Sequence, residues 1–190
     1  MKYDQAALAS IVRCILKPHH SLLRKEVARA AELSGSVVVE QRPPLCHTLL
    51  PLYRLFQEFR NELEDHLDAQ ESGLFPRLLE LEAALSAGER APGGADAVGE
   101  GLRLLKHGQV LLTAALEEMR ELTHGFTAPP NACECYGELL DVLAAIQMEL
   151  DSEVRMEKNL LVPKASALLD RAWHSHAAPP EQVGNIVRFA

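Results

Sequence analysis

The stretch EDHLDAQESGLFP, Glu64–Pro76, decides how this chain is read. It carries His66 and, four residues on, Gln70, the spacing at which two side chains share one face of a helix. It closes on Leu74-Phe75-Pro76, which reads as a helix stop. Upstream of it, Leu49, Leu52, Leu55, Phe56, Phe59, Leu63 and Leu67 recur at three- and four-residue steps. That period predicts a helix from about Leu45 to Glu71, with Pro51 in its first turns. A short helical extension, Phe75 to Ala87, is expected after Ser72-Gly73.

The remaining chain has the same character. Leu8, Ile11, Val12, Ile15, Leu16, Leu22, Leu23 and Val27 mark an amphipathic helix from Asp4 to about Leu33, which Pro18 should kink or interrupt. Ser34-Gly35-Ser36 and Pro43-Pro44 bracket a first loop, and the Gly-, Ala- and Pro-rich run Gly88 to Gly101 reads as a connection. A third helix is expected over about Gly101–Leu122. After a loop ended by Pro129-Pro130, a fourth runs over about Ala132–Val162. Beyond Trp173 the sequence reads as a loose tail, which places a bundle over 1–173 and a tail over 174–190. No strand pattern competes. The expected fold is all-α, an antiparallel up-down four-helix bundle.

Bulk properties agree. The 190 residues suffice for one domain with its own core. Hydrophobic residues make up 47% and aromatics only 5%, a balance of Leu, Ala and Val that favours helix over sheet. A formal net charge of -8 argues against a general nucleic-acid binder. The start MKYDQAALASIV has no signal-peptide pattern, and no uncharged apolar run approaches the ~20 residues of a membrane span. No nucleic acid and no membrane are expected as partners. Cys14, Cys46, Cys133 and Cys135 are too few and too scattered for a disulfide scaffold, so a reduced cytoplasmic setting is the expectation.

The chain also repeats itself. An offset of 87 residues carries His20 onto His107, His66 onto Glu153, Gln70 onto Glu157, Leu74 onto Leu161 and Pro76 onto Pro163. DHLDAQESGLFP thus echoes SEVRMEKNLLVP, and each half is a helical hairpin with one polar residue on its first helix and an i, i+4 pair on its second. Two such hairpins packed together bring His20, His66, Gln70, His107, Glu153 and Glu157 towards one point, and bundle cores are where facing helices build metal sites. Imidazole and carboxylate without cysteine suit iron, manganese or zinc. A lone helical histidine is more often a surface or core residue, and a Glu pair four apart more often a solvated face. Here the shared offset, and Leu150, Val154, Leu160 and Leu161 around the two glutamates, favour a metal site.

These motifs resemble the hemerythrin-like (HHE cation-binding) family, and more closely the repair-of-iron-centres di-iron proteins, over about Ile11 to Ala165. HHSLLR (His19–Arg24) is similar to the family's Tyr-His-x-x-Leu-Arg, and HLDAQESGLFP to His-x-x-x-Glu-Glu-x-x-Leu-Phe-Pro. KHG (Lys106–Gly108) stands where the family has Glu-His-Asp. PPNACECYGEL (Pro129–Leu139) is similar to Pro-Pro-x-x-Ala-Cys-x-x-Trp, and EVRMEKNLLVPKA (Glu153–Ala165) to His-x-x-x-Glu-Asn-x-x-Leu-Phe-Pro-Arg-Ala.

The resemblance implies a hemerythrin-like bundle with a di-iron centre, four histidines as terminal ligands and two glutamates as bridges. It sets His20, His66 and His107 at histidine-ligand positions and Glu157 at a bridging position. Gln70 replaces the other bridging glutamate, and Glu153 replaces a histidine. A neutral amide is a poor bridge, whereas Glu153 remains a competent ligand and restores the lost charge. Two irons with altered bridging, a single ion (Fe, Mn or Zn), or a metal-free bundle serving as an interaction protein all follow from this set. Glu71, five residues from His66, points roughly 140° away on an α-helix and is not expected to substitute.

The implied function is a response to O2, nitric oxide or oxidative stress, or iron-sulfur cluster repair, with metal ions, O2 and nitric oxide as partners. Enzymatic turnover and a homodimer are left open. Cys133-x-Cys135 at a helix start is expected to be structural or modestly reactive, Cys14 and Cys46 buried, His19 packed beside His20, and His174 and His176 solvated. His47 and His124 have no evident partner.

Overall fold

The computed structural model describes residues 7–40, 46–89, 93–130 and 132–176. Its elements are α1 (Leu8–Cys14), π1 (Ile15–His20), α2 (Ser21–Glu40), α3 (Cys46–Asp68), π2 (Ala69–Leu74), α4 (Phe75–Ser86), α5 (Gly94–Leu122), α6 (Glu134–Met156), π3 (Glu157–Leu161) and α7 (Val162–His176). They join into four long helices: α1–π1–α2, α3–π2–α4, α5 alone, and α6–π3–α7. No strand occurs among the described residues, and the molecule is a helical bundle.

Leu74-Phe75-Pro76 does not stop a helix. Pro76 lies in the first turn of α4, two residues beyond the end of π2, and Pro163 stands in the same relation to π3. Pro18 lies inside π1. Proline lacks an N–H and its ring presses on the carbonyl four residues back. A π turn already opens the i→i−4 ladder at that place, so the helix absorbs the proline and continues.

Other helix ends also run further than expected. α2 passes through Ser34-Gly35-Ser36, because the Ser34 and Ser36 hydroxyls donate back to the carbonyls of Ala31 (2.8 Å) and Glu32 (3.3 Å). α5 begins at Gly94, because Gly93 takes a left-handed conformation (φ 78) that a residue with a Cβ adopts only under strain. α7 carries on past Trp173 to His176. Cys14 is exposed, not buried. Pro43-Pro44 and the tail from 177 lie outside the described residues, as do the side chains of Cys46, His47 and His176.

α2 lies along α6 and α3 along α5, while α1 meets α4 and α2 meets α3. The apolar side chains form two clusters. One holds Leu23, Phe56, Phe59, Leu63, Leu116 and Leu150; the other holds Leu8, Ile15, Leu74, Phe75, Leu105 and Leu161. Each fully buried Leu or Phe contributes about 1.5–3 kcal/mol. The π turns lie where one cluster gives way to the other, and buried His20, Gln70 and Glu157 sit there. No helix among the described residues is long and apolar enough to cross a membrane.

Candidate metal centre

The buried histidines and glutamates of the bundle interior, with Gln70, sit in a π turn or one turn before one. π1 carries His19 and His20, both buried. His66 precedes π2, which holds Gln70, and Glu153 precedes π3, which opens with Glu157. Glu153 and Glu157 have no exposed surface at all. Among the described residues, His66, Glu153 and Glu157 bring their ligand atoms within 4.8 Å of one another.

The contacts around this trio shift the titration of His66 and Glu157. Burial holds the His66 ring below its ordinary pKa; nearby His20 adds to this, while Glu153 opposes it. The ring is therefore neutral near pH 7, and its Nε2 accepts a hydrogen bond from the Gln70 amide at 2.8 Å. His20 is the reverse case. Burial would lower it, but the Glu153 and Glu71 carboxylates outweigh burial and raise it. Its Nδ1 donates to Glu71 Oε1 at 2.8 Å, and its Nε2 lies 3.2 Å from Glu153 Oε1. The ring stacks on Phe75, with centroids 5.8 Å apart. Glu71 is itself held by Arg24 (3.3 Å), which also pairs with Asp68 (2.7 Å) and Glu64. Glu157 is pushed up to about 8 by burial first and by the Glu153 carboxylate second. The Gln109 amide, donating to Glu157 Oε2 at 2.6 Å, opposes that rise.

Five buried side-chain atoms here make no well-formed hydrogen bond: His20 Nε2, Gln70 Oε1, both Glu153 oxygens and Glu157 Oε1, although His20 Nε2 and Glu153 Oε1 face each other as an ion pair. An unsatisfied buried polar atom costs about 1–3 kcal/mol, more when charged, and such atoms are few in folded proteins. All five become lone-pair donors when a cation displaces the protons that the raised His20 and Glu157 hold, and they cluster together. A divalent cation satisfies that set, and imidazole with two carboxylates is the donor chemistry of iron, manganese or zinc. The residues present fit a metal.

Of the six expected site residues, His20, His66, Gln70, Glu153 and Glu157 are brought together. His107 is not. It is exposed on α5, on the rim of a groove that it lines with Glu62, Arg77 and Glu100 and that reaches His66 and Gln70. The repeat placed His107 opposite His20, but α5 has no π turn to match π1. Its regular period faces Leu102, Leu105, Gln109, Leu112 and Leu116 inward and leaves 106 and 107 outside.

Two contributors fell outside the expected set. Gln109 left a legible signal, one amide inside a leucine stripe. Glu71 is set aside on sequence, because α-helical geometry turns it away from His66; the wider π2 turn and a neighbouring helix bring it instead to His20. His19 is buried beside His20, its Nδ1 2.5 Å from Glu149 Oε1.

No protein-family model matches the chain. It is 24% identical over 157 residues to the iron-sulfur cluster repair protein ScdA of Staphylococcus haemolyticus, across 83% of this chain and 67% of that protein. It is 24% identical over 165 residues to the iron-sulfur cluster repair protein YtfE of Pectobacterium carotovorum, across 86% and 68%. To YtfE of Cronobacter sakazakii it is 25% identical over 169 residues, across 87% and 69%. The chain is thus a distant relative of proteins named for iron-sulfur cluster repair.

Proposed function

We propose that this chain is a hemerythrin-like, non-haem iron protein of the cytoplasm, acting in the response to O2, nitric oxide or oxidative stress, or in iron-sulfur cluster repair. The distant relatives support the repair role. The α1–α4 and α2–α3 pairings support the antiparallel up-down arrangement. The observation that carries the metal is the buried donor cluster of His66, Glu153 and Glu157, in which both Glu153 oxygens and Glu157 Oε1, like the neighbouring His20 Nε2 and Gln70 Oε1, make no hydrogen bond.

When bound, iron supplies a redox-active Lewis acid. The chain's own residues do the rest. Glu71 holds the His20 Nδ1 proton, so Nε2 is the nitrogen that would turn to a cation once the raised ring gives up its second proton. Gln109 holds Glu157 Oε2 and leaves Oε1 facing the donors. The groove past Glu62, Arg77 and His107 gives a small molecule a way to His66 and Gln70.

The outward placement of His107 favours one cation over the two irons that the resemblance implies. Metal analysis and the visible spectrum of protein from iron-supplemented cells, with its mass in solution, test this reading and the homodimer together. One metal per chain, lost in Glu157→Gln, supports the single site. Two irons with an oxo-bridge absorption support the di-iron centre. No stoichiometric metal, and no gain when iron(II) is added back without oxygen, sinks the metal reading and leaves a bundle that serves as an interaction protein.

A further inference from the structure

Cys133 and Cys135 stand apart from the metal centre, at the start of α6. Residues two apart on a regular helix project to different sides and do not meet. These two meet because Cys133 is the N-cap, with extended backbone (φ -69, ψ 158), while Cys135 is already in the first turn. Their sulfurs lie 2.6 Å apart. The turn is held on both sides by backbone hydrogen bonds: Ala132 N–H to Pro129 O at 2.9 Å, and Tyr136 N–H to Cys133 O at 3.1 Å. Both side chains are half-buried against the apolar cluster around Phe56, next to the fully buried ring of Tyr136.

We propose that Cys133 and Cys135 are a reversible dithiol–disulfide couple that reduces hydroperoxides. One cysteine sulfur attacks the terminal peroxide oxygen and breaks the O–O bond, giving a sulfenic acid and releasing water or an alcohol. The other sulfur then displaces the hydroxyl from the sulfenic sulfur. An S–S bond forms, and the hydroxyl leaves as water with the second thiol's proton. Two thiols and one hydrogen peroxide give one disulfide and two waters, with both electrons coming from sulfur. Two molecules of a small thiol restore the pair by exchange and leave as their own disulfide. The pre-set approach of the sulfurs makes the second step intramolecular, so it outruns further oxidation of the sulfenic acid. A single intervening residue closes a very small ring, which keeps the bridge easy to reduce.

The test is reduced full-length protein treated with hydrogen peroxide, alkylated, digested and weighed, with exposed Cys14 as the internal comparator. The expected 133–135 peptide is lighter by two hydrogens, takes up no alkylating label, and recovers both labels after a small thiol is added. Cys14 is expected to gain oxygen or stay labelled. In Cys135→Ser and in Cys133→Ser, each checked for helix content, the remaining cysteine should lose the bridge and gain oxygen instead. A 133–135 peptide that stays fully labelled at peroxide doses that oxidise Cys14 overturns the proposal. So does one that accumulates added oxygen in the unsubstituted chain, or a bridge found only between two chains.

Discussion

At position 70 a side-chain amide donates to His66 Nε2 at 2.8 Å and so occupies the lone pair a metal would use. Its own oxygen is buried without a partner. One residue therefore both blocks a ligand and offers a weak one. A carboxylate there has no hydrogen to donate, so it frees His66 and adds an anionic donor to a site that already holds Glu153 and Glu157. Gln70→Glu is accordingly expected to raise iron occupancy, towards a second ion per chain. The substitution adds another carboxylate to a buried layer, so the chelated variant should melt below the unsubstituted chain. Metal content and thermal melts with and without chelator check both halves; unchanged occupancy removes Gln70 from the centre.

Between elements, the approach of α5 to α3 and π2 is set by two glycines seven residues apart. A Cβ on Gly108 would meet His66 Nδ1 at 2.2 Å, and one on Gly101 would meet Leu74 Cδ1 at 2.9 Å. The two contacts differ in kind. Leu74 Cδ1 is the end of a flexible side chain, whereas the His66 ring is rigid and held among donors. Gly108→Ala is expected to displace the ring, cost about 1–3 kcal/mol in stability and lower iron occupancy. Gly101→Ala should leave occupancy near normal; equal metal loss in both variants would show that helix spacing, not the ring, was at stake.

The same elements show what could be read beforehand. Apolar periodicity found four helices, and the 87-residue repeat found the second-helix pairs, since π2 and π3 occupy matching places in the two halves. It failed at His107 because π1 has no counterpart in α5, and a change of one residue per turn leaves hydropathy almost unaltered. Pro18, Pro76 and Pro163 were the visible trace of the π turns; Pro76 read as a stop and Pro18 as a kink or interruption because a regular α-helix does not absorb them.

Taken whole, the molecule is a polar layer between two apolar clusters, and the layer is its unstable part. Glu157, raised from 4.5 to about 8, keeps its proton in the folded chain over a range where the unfolded chain has lost it. Folding then binds a proton, so this contribution to stability is complete below about 4.5 and is lost as pH rises towards 8. The raised His20 acts in the same sense and the lowered His66 in the opposite one, and Glu157, whose shift is large, leads the slope. The folding equilibrium of chelated protein should fall by at most about tenfold per pH unit across that window. A cation that binds only the folded chain adds about 2.7 kcal/mol at a hundred times its dissociation constant, and it competes with the same proton. The gap between metal-loaded and chelated melting temperatures should therefore widen as pH rises. Glu157→Gln should abolish the gap and flatten the slope, while melting no lower than the chelated parent at pH 8. Melts that coincide with and without metal at every pH would mean the apolar clusters alone hold the bundle together and the buried glutamates bind nothing.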